Sequence, residues 1–222
     1  MQKFETSAPV RAILDIPAGR VRVVAADRTD TTVDILPADA SKSRDVKTAQ
    51  QTTTAYGDGV LRIETPAKSP YLGLGGALDV TVHLPAGSRV EAKAGSAEFQ
   101  TAGPLSHVAF HSAHTTTKID RAETLDLTAN AGDVSVGHLG GDGEISVTQG
   151  DITIGEAVQG KLTLHTVSGN VTVVAPRTTS ATLDATTTHG RIHNSLVHTQ
   201  GPHPELTIHA TTANGNITAH TR

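Results

Sequence analysis

Residues 131–160 read AGDVSVGHLG GDGEISVTQG DITIGEAVQG. Twice in this stretch a Gly-Asp pair opens an apolar-polar-apolar run that closes on glycine, as GDVSVG at 132 and as GDITIG at 150. Alternation at period two predicts short strands, and Gly with Asp or Asn predicts tight corners. Two successive hairpins would fit this stretch, and so would one unit of a repeat. The rest of the chain favours the repeat. The unit recurs as GNVTVV at 169, GRIHNS at 190 and GNITAH at 215, at spacings of 18, 19, 21 and 25 residues. Between these units lie second alternating runs: TLDLT at 124, EISVT at 144, KLTLH at 161, TLDAT at 182 and ELTIH at 205. Degenerate units precede them at GSAEFQ (95) and TTTKID (115).

Aligned position by position, the first strand of each unit presents Ala97, Thr117, Val134, Ile152, Val171, Ile192 and Ile217 inward. Its next inward position presents Phe99, Ile119, Val136, Ile154, Val173, Asn194 and Ala219. The second strand presents Val108, Leu125, Ile145, Leu162, Leu183 and Leu206. Equivalent residues that match across units are expected to stack, which hairpins in a meander do not require. The fold expected is all-β: a β-solenoid (β-helix) of about seven two-stranded coils, in which no coil buries its apolar face alone. An open terminal coil would be an exposed strand edge, with NGNITAHTR at the chain's end as the expected one.

Composition agrees. The 222 residues hold 3 Phe, 2 Tyr and no Trp, so a thin core of Val, Ile, Leu and Ala is expected rather than a bulky one. Without cysteine there is no disulfide and no thiolate chemistry. The first residues, MQKFETSAPVRAILDIPAG, lack the pattern of a signal peptide, and no apolar run is long enough to span a membrane, so a cytoplasmic location is expected. The net charge of −4 argues against nucleic acid as a partner.

Residues 1–88 read differently. LDIPAGRVRVVAAD at 14 and VHLPAGSRVEAKAG at 82 each suggest strand, Pro-Ala-Gly turn and strand. TTVDILPA at 31 and VLRIETP at 60 are further strands, and a short helix is expected to start near Ser43. SPYLGLGG at 69 is a glycine-rich connection with no following helix to make it a phosphate site. The expected organisation is an N-terminal β-sandwich-like cap over 1–88, continuous with repeats over 89–222.

The Gly-Asp and Gly-Asn units, the LDIPAG and VHLPAGSRVEAKA strands and the ending RIHNSL…ELTIHATTANGNITA resemble a bacterial β-strand-repeat domain family of unknown function often labelled "putative adhesin". The resemblance covers nearly the whole chain. It implies a β-solenoid and brings no catalytic residues with it.

Function must then lie in residues that differ between units, and the 12 histidines stand out. The run HGRIHNSLVHTQGPHPELTIH holds His189, His193, His198, His203 and His209, but its spacing matches no metal signature, and no metal or cofactor is expected. On the second strands, one outward column is expected to read His111, Thr128, Thr148, His165, Thr186, His209. Its neighbour is expected to read Ala109, Asp126, Ser146, Thr163, Asp184, Thr207. His165 and His209 then lie two rungs, or roughly 10 Å, apart, with Asp184 diagonal to both. An Asp can orient one imidazole while another exchanges a proton near neutral pH. His165, Asp184, Thr186 and His209 are therefore the candidate site.

Three functions compete for this pattern. One is a binding or scaffold module whose flat Thr/His/Asp face meets a small polar molecule, a glycan or a protein. Another is an enzyme, a biosynthetic cyclase or isomerase or a carbohydrate-active protein, whose patch does acid–base work and so needs enclosure. The third is adhesin-like assembly, such as a homodimer through a solenoid end or face. Asp126 and Asp184 share a column about 14 Å apart, too far for a glycosidase carboxylate pair.

Overall fold

The computed structural model describes residues 1–66, 75–197 and 204–222; most of SPYLGLGG, with Gly73, and His198 and His203 lie outside them. The described residues are all-β with one short helix. Two compact units, Met1–Thr115 and Thr116–Arg222, divide it.

The first unit contains β1 (Gln2–Glu5), β2 (Arg11–Ala26), β3 (Asp30–Pro37), α1 (Ser43–Gln51), β4 (Thr53–Gly57), β5 (Val60–Glu64), β6 (Ala77–Pro85), β7 (Arg89–Ala102) and the start of β8 (Pro104–Ala131). The long strand β2 organises it. β2 pairs in parallel with β7 from Arg11↔Arg89 to Val24↔Ala102. Along its other edge its first half pairs with β5 and its second half with β6, both parallel. β3 joins β6 and β1 antiparallel, and β4 joins β5 antiparallel. The two Pro-Ala-Gly segments, alike in sequence, behave differently. At Pro85 the strand ends and turns through Gly87, whereas Pro17-Ala18-Gly19 lies inside β2 as a corner of a continuous strand. Gly19 has φ +126°, and a Cβ there would overlap the Leu78 carbonyl oxygen. Helix α1 holds the chain's return to β6: the Asp45 carboxylate accepts from the Ala77 amide at 3.0 Å, and Thr48 Oγ1 accepts from the Gly76 amide at 2.9 Å.

The second unit contains the rest of β8, then β9 (Val134–Leu139), β10 (Gly143–Gln149), β11 (Ile152–Ile154), β12 (Gly160–Ser168), β13 (Val171–Ala175), β14 (Ala181–His189), β15 (Ile192–Ser195), β16 (Leu206–Asn214) and β17 (Ile217–Thr221). All its ladders are parallel. One runs β8–β10–β12–β16–β14 and the other β8–β9–β11–β13–β17–β15. Val134, Ile152, Val171 and Ile217 stack in one column, and Val136, Ile154, Val173 and Ala219 in the next, all buried.

The stacking order departs from the chain order. The pair β16/β17 does not end the stack, as expected of NGNITAHTR; it lies between β12/β13 and β14/β15. The chain leaves a one-rung gap after β13, builds β14/β15 beyond it, and returns to fill the gap. Side chains at the Gly-Asx corners mark the same order. Asp133 Oδ1 accepts from the Asp151 amide, Asp151 from Asn170, Asn170 from Asn216, and Asn216 from Arg191, at 2.7–2.9 Å. Each rung's carboxylate or amide thus satisfies a backbone N–H of the next, which is the physical reason for Asp or Asn after the corner glycine. Arg191 offers no acceptor, and the ladder stops there. Inward threonines add a second tie: buried Thr166 and Thr212 and half-buried Thr187 donate to the carbonyls of Gly150, Gly169 and Gly215 at 3.0 Å. At Gly150 (φ +146°) a Cβ would overlap the Gly132 carbonyl oxygen of the rung before, so the corners stay glycine.

Candidate functional site

The outward columns of the second unit also differ from expectation, by two residues on two strands. β10 sets Gly143, not Ile145, beside Leu125 and Leu162. The space a side chain would fill there is taken by Leu139, whose Cδ2 would lie 2.8 Å from a Cβ at Gly143. β16 sets Ile208, not Leu206, beside Leu162 and Leu183. A slip of two keeps every side chain on its face but changes its neighbours, and alternation alone cannot detect it.

The outward columns therefore read Asp126, Glu144, Thr163, His209, Asp184 and, beside it, Thr128, Ser146, His165, Thr211, Thr186. His209 stands directly opposite Asp184, not in the column of His165 and Thr186. Thr211 lies between His165 and Thr186, and His165 is one rung from His209 rather than two. Asp126 and Asp184 do share a column, at opposite ends, four rungs or roughly 19 Å apart. The structure thus brings His209 and Asp184 into contact and sets His165 and Thr186, on the strands either side of β16, diagonal to His209. Thr163 and Thr211, which the sequence reading left out of the patch, complete it; the corrected register is the signal that identifies them.

His209 Nδ1 lies 3.3 Å from Asp184 Oδ2. With Nδ1 protonated, the ring donates to the carboxylate and leaves Nε2 facing outward as an acceptor. The Asp184 side chain is 79% exposed and that of His209 41%. Water reaches both groups, so the pair lacks the dry surroundings that tune a catalytic acid or base. What it offers is hydrogen bonding: a surface of Thr hydroxyls, one carboxylate and two imidazoles, with donors and acceptors repeating at the rung spacing.

A second His–carboxylate pair escaped the sequence reading. His138 Nδ1 lies 3.0 Å from Glu156 Oε1, on adjacent rungs. The residues are 18 apart, the repeat's own spacing, which is the signal that would have found them. His189, His193 and His209 lie on β14, β15 and β16. Among the described residues no group of three or more His, Asp or Glu side chains is placed to hold a metal ion. No described helix is long and apolar enough to cross a membrane.

In the first unit, a recess of about 230 Å³ is lined by Ile13, Asp15, Glu64, Glu91, Lys93 and His111, among others. Glu91 is committed elsewhere. Arg11 grips it through Nε and Nη2, both at 2.8 Å, and Arg89 Nε adds a contact at 2.7 Å. The Arg11 guanidinium holds the Glu91 carboxyl below its ordinary range.

Comparison with known proteins fits this architecture. A family model described as Toastrack DUF4097 matches residues 13–221. The chain belongs to that family. Toastrack is a β-solenoid-like fold of unknown function, in keeping with the resemblance seen in the Gly-Asx units. Among solved structures, the Toastrack chain is similar to a "putative adhesin" from Bacteroides fragilis (11% identity, 98% of this chain and 95% of that one, TM-score 0.49). It is also similar to one from Parabacteroides distasonis (16%, 98% and 95%, TM-score 0.48). A third, from the same species, is described as a "putative lipid binding protein" (11%, 98% and 95%, TM-score 0.45). No curated protein matches the Toastrack chain.

Proposed function

We propose that this chain is a non-enzymatic binding module. In this reading it is a β-solenoid of about seven two-stranded coils with an N-terminal β-sandwich-like cap, and its outer Thr/His/Asp face meets a polyhydroxylated ligand such as a glycan. The observation that carries the reading is the pair of outward columns around His209 and Asp184. They array hydroxyl, imidazole and carboxylate groups at a regular spacing on a face that water reaches. Sugar hydroxyls both donate and accept, and such a grid offers both partners. The 79% exposure of Asp184 weighs against the enzymatic alternative, which needs the pair enclosed.

An array of neutral and acidic oligosaccharides, probed with the fluorescently labelled chain, tests the reading. Binding is expected to a subset of sugars and to fall at least tenfold in both His209→Ala and Asp184→Asn, while His138→Ala binds as before. An array with no bound sugar, or binding indifferent to both substitutions, overturns it.

A further inference from the structure

The end of the stack formed by β14 and β15 is built like an interior rung, but among the described residues no further strand pairs with it. Among the described residues, β14 has β16 as its only ladder partner and β15 has only β17. At the start of β14 the Ala181 amide donates to the Val197 carbonyl at 3.2 Å, so the chain's own segment closes that corner. Beyond it, among the described residues, the opposite edge of each strand presents backbone N–H and C=O groups with no ladder partner. The core columns are open here too. Ile192 continues the column of Val171 and Ile217, which are buried, yet it is 47% exposed. Asn194 is exposed at the next inward position, and Leu183 and Ala185 are only half-buried.

Exposed edges are ordinarily defended by proline, by a bulge or by a charge pointing inward. None of these is present: the inward residues are Leu183, Ala185, Ile192 and Asn194, and neither strand contains proline. The charged and titratable residues of this rung, Asp184, His189, Arg191 and His193, sit on its outer face or at its corner.

We propose that this end rung docks on the same rung of a second copy of the chain, about a twofold axis. An occupant has to satisfy the edge of β14 beyond Ala181 and the shorter edge of β15 at once, and cover the columns of Leu183 and Ile192 between them. A single extended peptide can pair with one edge only. A rung of the same cross-section pairs with both, and the matching of long edge to long and short edge to short is met by the rung's own mate. Rotation about the twofold sets β14 antiparallel to its counterpart and β15 antiparallel to its own, so Ile192 and Leu183 of each copy face those of the other. The contact is isologous and closes at two copies. Where the outer face binds a repeating polymer, two copies joined this way would engage it together, with a gain in avidity. The dimer itself does not depend on that binding.

Light scattering on the full chain at high micromolar concentration, with no ligand, tests the proposal. The expected mass is that of two 23.0 kDa chains. Ile192→Lys is expected to give a single-chain mass with an unchanged circular-dichroism spectrum, since within one chain Ile192 is already half in water. Val167→Lys, at an exposed position on β12, is expected to leave the dimer intact. Asn194→Lys gives a second reading at an exposed inward position should Ile192→Lys misfold. Hydrogen exchange adds a local measure: the edge amides of β14 are expected to be protected in the wild type and to exchange rapidly in the single-chain variant. A wild type of single-chain mass, a dimer that survives both Ile192→Lys and Asn194→Lys, or an open-ended polymer would each overturn the proposal.

Discussion

Rungs β16/β17 and β14/β15 are neighbours with nearly the same sequence pattern, yet they live in different surroundings. Ile208, Ala210, Ile217 and Ala219 are all buried, because their rung has a partner on each side. The equivalent Ala185, Leu183, Ile192 and Asn194 are half-buried or exposed, because theirs has one. Burial in a stacked fold is thus a property of position in the stack more than of the residue. Ile192 and Ile217 occupy one column one rung apart, so any difference between them comes from the neighbour alone.

The sharpest way to break that comparison is to place the same charge at both sites. Ile217→Asp buries a carboxylate between two rungs and is expected to cost about 4 kcal/mol or more, enough to unfold the second unit. Ile152→Asp, deeper in the same column, is expected to do the same. Ile192→Asp is expected to cost under about 1 kcal/mol when measured dilute enough that the end rung is undocked, as at a site half in water. Chemical denaturation of the three variants measures this, and equal losses would sink the stacking order. A smaller effect is expected at the corner ladder. Asn216→Ala removes the acceptor for the Arg191 amide and is expected to cost about 1 kcal/mol, felt as faster hydrogen exchange at Arg191 and Ile192, with Asn216→Asp restoring protection. If Asn216→Ala leaves exchange at β15 unchanged, the ladder does not hold the end rung. The smallest effects belong to the outer face. His165→Ala and Asp184→Asn are expected to leave the melting temperature unchanged, since both side chains are exposed. A fall of several degrees in either would show the face to be structural.

Much of the fold was legible because corner chemistry repeats. Gly-Asp and Gly-Asn recur where a backbone must pass close to the rung below and where its N–H needs a side-chain acceptor. Two things were not legible by alternation. Gly143 hides an inward position because it has no side chain to count, and this shifted the register of β10. The order of the last two rungs was read from chain order, as neighbouring elements usually are neighbours in space. One residue carried the contrary signal. Arg191 is the only corner residue among these units that cannot accept a hydrogen bond from a following rung, so its rung can only be the last. The candidate patch suffered from the order of the rungs and from the two-residue slip on β16, which alternation cannot detect. His209 and Asp184 belong together, as expected, but as direct cross-strand neighbours, with Thr163 and Thr211 in the places given to others.

The gap that β16/β17 fills also orders events in time. A growing chain emerges from its N-terminal end, and residues 181–195 are made before residues 206–221. Until the later segment exists, the rung of β14 and β15 has no strand to pair with and its apolar columns stand in water. This part of the molecule therefore cannot be completed rung by rung as it is synthesised. Its last-made strands are the keystone, and they lock in two rungs at a single step. A fusion partner or a proteolytic nick near Thr221 would strain the middle of the stack, and it would strand β14 and β15 along with the residues actually lost.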